Sequence, residues 1–115
     1  MEILSKLTPY SSFTIWGGNQ LSKIKQIVSS KKLGETWEIS TLEKGPSKIG
    51  NQNLNELCDL TYLVKFIDTS DNLSVQVHPG DEYAKTHENS KGKTECWVIL
   101  DAQENSGIYL GFKKG

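Results

Sequence analysis

Two side chains that can bind a metal, Gln76 and His78, lie two residues apart in a stretch of alternating apolar and polar residues. Leu73, Val75 and Val77 supply the apolar positions of this stretch. Such a period of two is typical of a β-strand with one apolar and one polar face. On that polar face the two side chains would point the same way, roughly 7 Å apart. The pattern therefore predicts a strand over residues 73–78 that carries part of a metal site.

A third candidate ligand, Glu95, lies in a second predicted strand over residues 93–100. If the two strands are neighbours, directly opposed side chains lie roughly 5 Å apart at Cβ. Glu95 would then meet Gln76 and His78 over one ion. One imidazole nitrogen and two oxygen ligands favour zinc, and iron, manganese or cobalt are alternatives.

Simpler interpretations of the same residues remain open at this point. A Gln-x-His pair on a strand is more often a solvated face than a ligand pair, and a single Glu95 is most often a surface carboxylate. His87 lies in a polar stretch and is expected to be exposed. The three tryptophans are each expected to be core or half-buried packing residues; they are Trp16, Trp37 and Trp97.

Lys65 is the charged residue least expected at its position, because it interrupts the apolar run Tyr62–Ile67. A buried ammonium group is costly unless it is paired. The lysine is therefore expected to point into a polar site or to extend its amine to water.

The elements that must position these residues are predicted from periodicity and turn signals. Asn53 is a candidate helix cap. The run 61–68 and the strand 73–78 would form either a hairpin-like pair or one bent strand. We expect one β-rich unit over residues 1–115, with irregular structure over 1–20 and a loop over 43–50. Short helices are predicted over 20–30, 53–60 and 80–87. Strands are predicted over 35–40, 61–68, 73–78 and 93–100.

Composition narrows the class of protein. The chain has 115 residues, a hydrophobic fraction of 36% and a formal net charge of -1, which fit one soluble domain with no broad basic surface for nucleic acid or acidic membranes. All basic residues are lysine, so no bidentate guanidinium clamp is available. Cys58 and Cys96 do not form a CxxC motif, and no run is long enough for a signal-peptide core or a membrane span. A reducing, cytoplasmic setting is expected.

Beyond these single residues, the sequence resembles the type I mannose-6-phosphate isomerases. The resemblance rests on motifs in the family's order that cover nearly the whole chain. The most specific are Gly34–Ser40 (GETWEIS), Val75–Pro79 (VQVHP) and Gly92–Glu95 (GKTE). Further matching segments are Trp16–Gly18, Leu63–Asp68, Leu73–Ser74, Asp81–Ala84 and Ile108–Phe112.

The resemblance implies a mainly β fold with short helices, an incomplete cupin-type (jelly-roll) β-barrel. It implies one zinc ion per site, held by Gln76, His78 and Glu95 together with a later histidine. Neither that histidine nor the family's active-site arginine has a counterpart in this sequence. We therefore expect the N-terminal part of a catalytic domain, with the C-terminal part absent.

The resemblance also implies a reaction, the interconversion of mannose 6-phosphate and fructose 6-phosphate by proton transfer through a cis-enediol. Lys93 matches an acid–base or orienting lysine, and Ser74, Lys65 and Trp16 match positions on the substrate side. The isolated chain is expected to be weakly active or inactive. The alternative is a non-catalytic cupin module that binds metal, a C-terminal companion chain or a second copy through exposed strand edges.

Overall fold

The computed structural model describes residues 4–114, which form a mainly β structure with short helices. Contacts divide the chain into two compact units, Met1–Ser74 and Val75–Gly115. The predicted mainly β class is confirmed, and the sheets described in residues 4–114 are not closed into a barrel. None of the helices in this part of the chain is long and apolar enough to cross a membrane.

The first unit is built on a three-stranded antiparallel sheet in the order β1–β2–β5. The strands are β1 (Tyr10–Gly18), β2 (Leu33–Ile39) and β5 (Val64–Ile67). Because β2 is the central strand, both of its edges are hydrogen-bonded, and its residues Leu33, Thr36 and Trp37 are all buried. The sequence-based strands over 35–40 and 61–68 are confirmed as β2 and β5.

Strand β1 contradicts the prediction of irregular structure over residues 1–20. Its sequence is rich in aromatic and β-branched residues, which favour strands. The alternation is hard to see because the pairing with β2 shifts register after Ser12 and again after Phe13. A register irregularity breaks the period of two in the sequence. The prediction for residues 1–3 lies outside the described residues.

The helices of the first unit are shorter than predicted. Helix α1 (Gln20–Ile24) ends well before Ser30, because Gln26 has a positive φ of 54° that no α-helix accommodates. The helix predicted over 53–60 is one 3-10 turn, Leu54–Glu56, and Asn53 makes no side-chain cap hydrogen bond to it. The loop predicted over 43–50 contains β3 (Lys48–Ile49), which pairs with β4 (Gln52–Asn53) across a turn at Gly50 with φ 58°.

The second unit holds helix α2 (Asp81–His87), as predicted, with Asp81 and Glu82 in its first turn. The strands predicted over 73–78 and 93–100 are wrong: residues 75–114 form no β ladder in the described structure. Alternation sets which side chains share a face, but a strand also needs a hydrogen-bonded partner. The apolar side chains of both segments are exposed accordingly, except that of Leu73, which is half-buried.

Candidate functional site

Three of the predicted site residues come together in the second unit. His78 Nε2 lies 2.9 Å from Glu95 Oε1. Lys93 Nζ lies 3.0 Å from the other oxygen of the same carboxylate, Oε2. Glu95 is therefore the centre of a cluster in which each carboxylate oxygen faces a different nitrogen group.

These groups are only partly withdrawn from solvent. The His78 and Glu95 side chains retain 28% and 25% of their accessible surface, and the Lys93 side chain is more exposed. Exposed ion pairs contribute little to stability because water screens them. The cluster is therefore better suited to chemistry than to holding the fold: an imidazole nitrogen and a carboxylate can bind a cation, and an ammonium group can donate to an oxygen nearby.

The geometry arises although the predicted strands do not form. His78 and Pro79 precede helix α2, and the Lys93–Glu95 segment follows the loop after it. The chain therefore turns back on itself, and the imidazole meets the carboxylate across this turn. Gln76, the third expected ligand, is exposed and lies two residues before His78. Among residues 4–114 no three His, Cys, Asp or Glu side chains form a cluster able to hold a metal ion.

The remaining predicted site residues belong to the first unit. Lys65 on β5 places Nζ 2.8 Å from Glu35 Oε1 on β2. This satisfies the expectation that an ammonium group in an apolar strand needs a polar partner. Trp16 is half-buried on β1, and its carbonyl accepts the N–H of Ser70 at 2.8 Å. Ser74 is exposed at the end of the unit.

Sequence reasoning missed Glu35, which is the hub of a second polar cluster. Its Oε1 accepts from Lys65, and its Oε2 accepts from the indole N–H of Trp37 at 2.8 Å. Glu35 and Trp37 share a face of β2, and Trp37 is directly opposite Lys65 in the β2–β5 register. The sequence contained a signal for this cluster. The ammonium group of a lysine in an apolar strand needs an acidic partner, and a neighbouring strand can supply one on the same face of the sheet.

A cavity of about 190 Å³ in the first unit is lined by Phe13, Ile27 and Leu33 among others. None of the predicted site residues lines it. Its lining includes Lys31 and Lys32 but no Asp, Glu or His, so it contains no pair of acid and base groups.

Comparisons with known proteins were made for the sequence and for the fold. No protein-family model matches the chain. The sequence is 37% identical to the mannose-6-phosphate isomerase ManA of Bacillus subtilis, with 84% of this chain and 37% of the relative covered. It is 36% identical to the probable mannose-6-phosphate isomerase GmuF of the same organism, covering 91% and 40%. A mannose-6-phosphate isomerase of Streptococcus mutans is 38% identical, covering 84% and 37%.

The structural comparison also finds a mannose-6-phosphate isomerase. The crystal structure of the mannose 6-phosphate isomerase from Bacillus subtilis superimposes with a TM-score of 0.74 at 36% identity, and the match covers 86% of this chain and 38% of that one. The chain is therefore homologous to mannose-6-phosphate isomerases over most of its length. It spans about two-fifths of the length of the relatives that it matches.

Proposed function

We propose that this homologue of the mannose-6-phosphate isomerases forms the metal-binding part of an aldose–ketose isomerase that interconverts mannose 6-phosphate and fructose 6-phosphate. The observation that carries the proposal is the 2.9 Å approach of His78 Nε2 to Glu95 Oε1, with Lys93 on the second oxygen. It occurs in the segments whose motifs resemble that family. The names of the relatives supply the substrate class.

The separation of two of the three proposed ligands supports a zinc ion at this place. Nitrogen and oxygen ligands bind zinc at about 2.0–2.2 Å, so two ligand atoms at about 90–110° around one ion lie roughly 2.8–3.6 Å apart. The separation between His78 Nε2 and Glu95 Oε1 is within this range. Gln76, His78 and Glu95 are the residues of this chain that would hold the ion. When bound, zinc supplies positive charge that stabilises a developing oxyanion on the substrate.

Lys93 is the proposed catalytic residue of this chain. Isomerisation takes a proton from C2 of mannose 6-phosphate and returns one to C1, while O1 gains a proton and O2 loses one. The Lys93 ammonium, held at the Glu95 carboxylate, is placed to donate to a sugar oxygen as negative charge builds on it. Its contact with Glu95 fixes the position of the donor. The lysine side chain therefore loses less rotamer freedom when the substrate binds.

The resemblance to the family supports further proposed roles: Ser74 and Lys65 as contacts to sugar or phosphate oxygens, and Trp16 as a residue that lines the substrate pocket. Lys65 keeps its ammonium group paired with Glu35. An acidic neighbour disfavours a phosphate dianion, so the pair favours sugar hydroxyls, which can both donate and accept hydrogen bonds. In this proposal the chain is the N-terminal portion of a cupin-type catalytic domain, and its setting is cytoplasmic.

The ligand assignment is tested by zinc titration of the 115-residue chain against a chromophoric chelator. Glu95→Ala is expected to weaken zinc binding by at least about 10-fold, because it removes a charged ligand. Glu104→Ala is the matched control, since it removes an exposed glutamate of the same unit. Equal zinc affinity in wild type and Glu95→Ala would remove Glu95 from the site, and no zinc binding by the wild type would contradict the metal proposal.

The substrate assignment is tested by calorimetry with mannose 6-phosphate, with unphosphorylated mannose as the control ligand. The chain is expected to bind mannose 6-phosphate. Lys65→Met is expected to weaken this binding. A coupled assay for fructose 6-phosphate is expected to show little turnover from this chain alone. Turnover typical of an enzyme would mean that the residues present here suffice, contrary to the expectation that further residues complete the site.

A second candidate function is a non-catalytic module that binds metal or a partner chain. The exposed apolar side chains of the second unit favour it, since its extended segments carry large hydrophobic residues in water. They include Val75, Val98, Leu100, Tyr109, Leu110 and Phe112. Light scattering after size exclusion separates the candidates: a monomer with a cooperative melt argues against a required partner, whereas a defined dimer supports pairing through these segments.

A further inference from the structure

A contact next to the His78–Glu95 pair explains how two segments without strand pairing are held together. The backbone N–H of Gly92 donates to Asp81 Oδ1 at 2.9 Å. This hydrogen bond joins the first turn of helix α2 to the loop that follows the helix. We name this contact the Asp81–Gly92 clasp.

The clasp is a close approach of backbone to backbone as well as a hydrogen bond. A Cβ atom on Gly92 would lie 2.6 Å from Asp81 N and 2.7 Å from both Gly80 C and Pro79 O. Contacts that short do not occur without a shift of the backbone, so only glycine fits there. The chain on both sides of helix α2 is therefore fixed at one separation.

The position of the clasp relates it directly to the site. Asp81 lies three residues after His78, and Gly92 lies three residues before Glu95. The clasp therefore joins the start of helix α2 to the loop after it, next to the two segments that carry the site residues. The described residues 75–114 form no β ladder, so contacts such as the clasp and the His78–Glu95 pair link the two site-bearing segments.

We propose that Asp81 is a positioning residue whose carboxylate, by holding the Gly92 N–H, sets Glu95 and Lys93 beside His78. The role depends on the acceptor oxygen of Asp81 rather than on its charge. Acidic residues in the first turn of a helix also stabilise the helix through their interaction with its dipole. Glu82 lies in the same turn and has this effect too. Only Asp81 reaches Gly92, so the two acids separate positioning from a general effect on the helix.

The first experiment measures zinc affinity by chelator competition, and this arm rests on the proposed metal site. Asp81→Ala is expected to weaken zinc binding about 10-fold, a typical loss when a group that orients ligands is removed. Asp81→Asn keeps an acceptor oxygen and is expected to stay within about 3-fold of wild type. Glu82→Ala removes the neighbouring charge and is expected to leave the affinity unchanged.

Gly92→Ala opens the clasp from its other side while leaving Asp81 in place. It is expected to reproduce the loss seen in Asp81→Ala. Equal zinc affinity in wild type, Asp81→Ala and Gly92→Ala would overturn the proposal, and so would a loss in Glu82→Ala as large as that in Asp81→Ala.

The second experiment needs no metal, so it keeps the inference testable if the chain binds none. The ring C–H signals of His78 are observed by NMR, with His87 as the only other histidine and the internal control. Glu95→Gln should shift the His78 signals in the wild-type background, because the two groups are in contact. In the Asp81→Ala background the same change should move them far less, and an equal shift in both would overturn the positioning role.

Discussion

Two acid–base pairs of nearly equal length, Lys65–Glu35 and His78–Glu95, are built in different ways in the two units. The first has a separation of 2.8 Å and the second 2.9 Å. Lys65 and Glu35 project from hydrogen-bonded strands of one sheet, so their separation follows from the β2–β5 register. His78 and Glu95 project from segments outside any described β ladder, and the Asp81–Gly92 clasp lies between them in sequence.

The two pairs differ in how much each can contribute to stability. Side-chain exposures of 13% for Glu35 and 20% for Lys65 mean that this pair is largely desolvated, and Trp37 supplies a further hydrogen bond to the carboxylate. The pair in the second unit is more exposed and stands among few buried neighbours, since Ala84 is the buried hydrophobic residue of the described residues 75–114. We expect substitutions at the buried residues and the Lys65–Glu35 pair of the first unit to change stability, and substitutions at the second-unit cluster to change zinc binding with little effect on stability.

The largest expected effect tests the difference in packing. Leu33 is 1% exposed in the central strand, whereas Leu100 is 75% exposed in the second unit. Leu33→Ala should lower the free energy of unfolding by about 3 kcal/mol through lost burial and a cavity. Leu100→Ala should change it by less than about 0.5 kcal/mol. Urea unfolding followed by the fluorescence of Trp16 and Trp37 in the first unit and Trp97 in the second reports both units; equal losses would contradict the contrast.

The next effect tests the two pairs themselves. Glu35→Gln should cost about 1–2 kcal/mol, because it leaves the Lys65 ammonium group largely desolvated and without its counter-charge. Glu95→Gln should cost less than about 0.5 kcal/mol, since its pair is screened by water.

Glu43→Gln, at an exposed glutamate of the first unit, is the control for Glu35→Gln in the same urea assay. A double-mutant cycle with Lys65→Met should show that most of the Glu35→Gln cost disappears once the lysine is gone. If the costs of Glu35→Gln and Lys65→Met simply add, the pair is not the source of the stability.

Much of the first unit could be predicted from the sequence because its signals are local. The alternation at Trp37 and Ile39 and the apolar run around Lys65 correctly predicted β2 and β5. Strand β1 was missed because its register shifts conceal the alternation. The start of helix α1 at Gln20 was predicted correctly, but its C-terminal end was not, since the residue type of Gln26 does not by itself indicate a positive φ.

In the second unit the sequence predicted which side chains meet but not how. The approach of His78 to Glu95 was expected from two neighbouring strands, and the strands are absent from the described structure. Strand pairing is a long-range property that a single segment cannot specify. The Asp81–Gly92 clasp was equally out of reach, because it depends on a backbone approach that only the folded chain shows.

The smallest expected effect compares the clasp with a similar contact in the first unit. Asp68 Oδ2 accepts the N–H groups of Gln20 at 2.7 Å and Leu21 at 2.9 Å, so it caps helix α1 from a distant part of the chain. Asp68→Ala should cost about 1 kcal/mol in the urea assay, as the loss of a cap usually does. Asp68→Asn keeps the acceptor and should recover most of it. Asp71→Ala is the control, since Asp71 is an exposed aspartate whose carboxylate accepts from the N–H of the next residue, Asn72.

Both aspartates use a carboxylate to hold backbone N–H groups, yet they should differ in what they affect. Asp68 lies beside a paired sheet, so its loss should appear in the free energy of unfolding and leave zinc affinity unchanged. Asp81 lies between two segments that form no β ladder in the described structure, so its loss should appear in zinc affinity and in the His78 signals. An Asp68→Ala chain that bound zinc as weakly as Asp81→Ala would show that general loosening of the chain, and not the position of the clasp, controls the site.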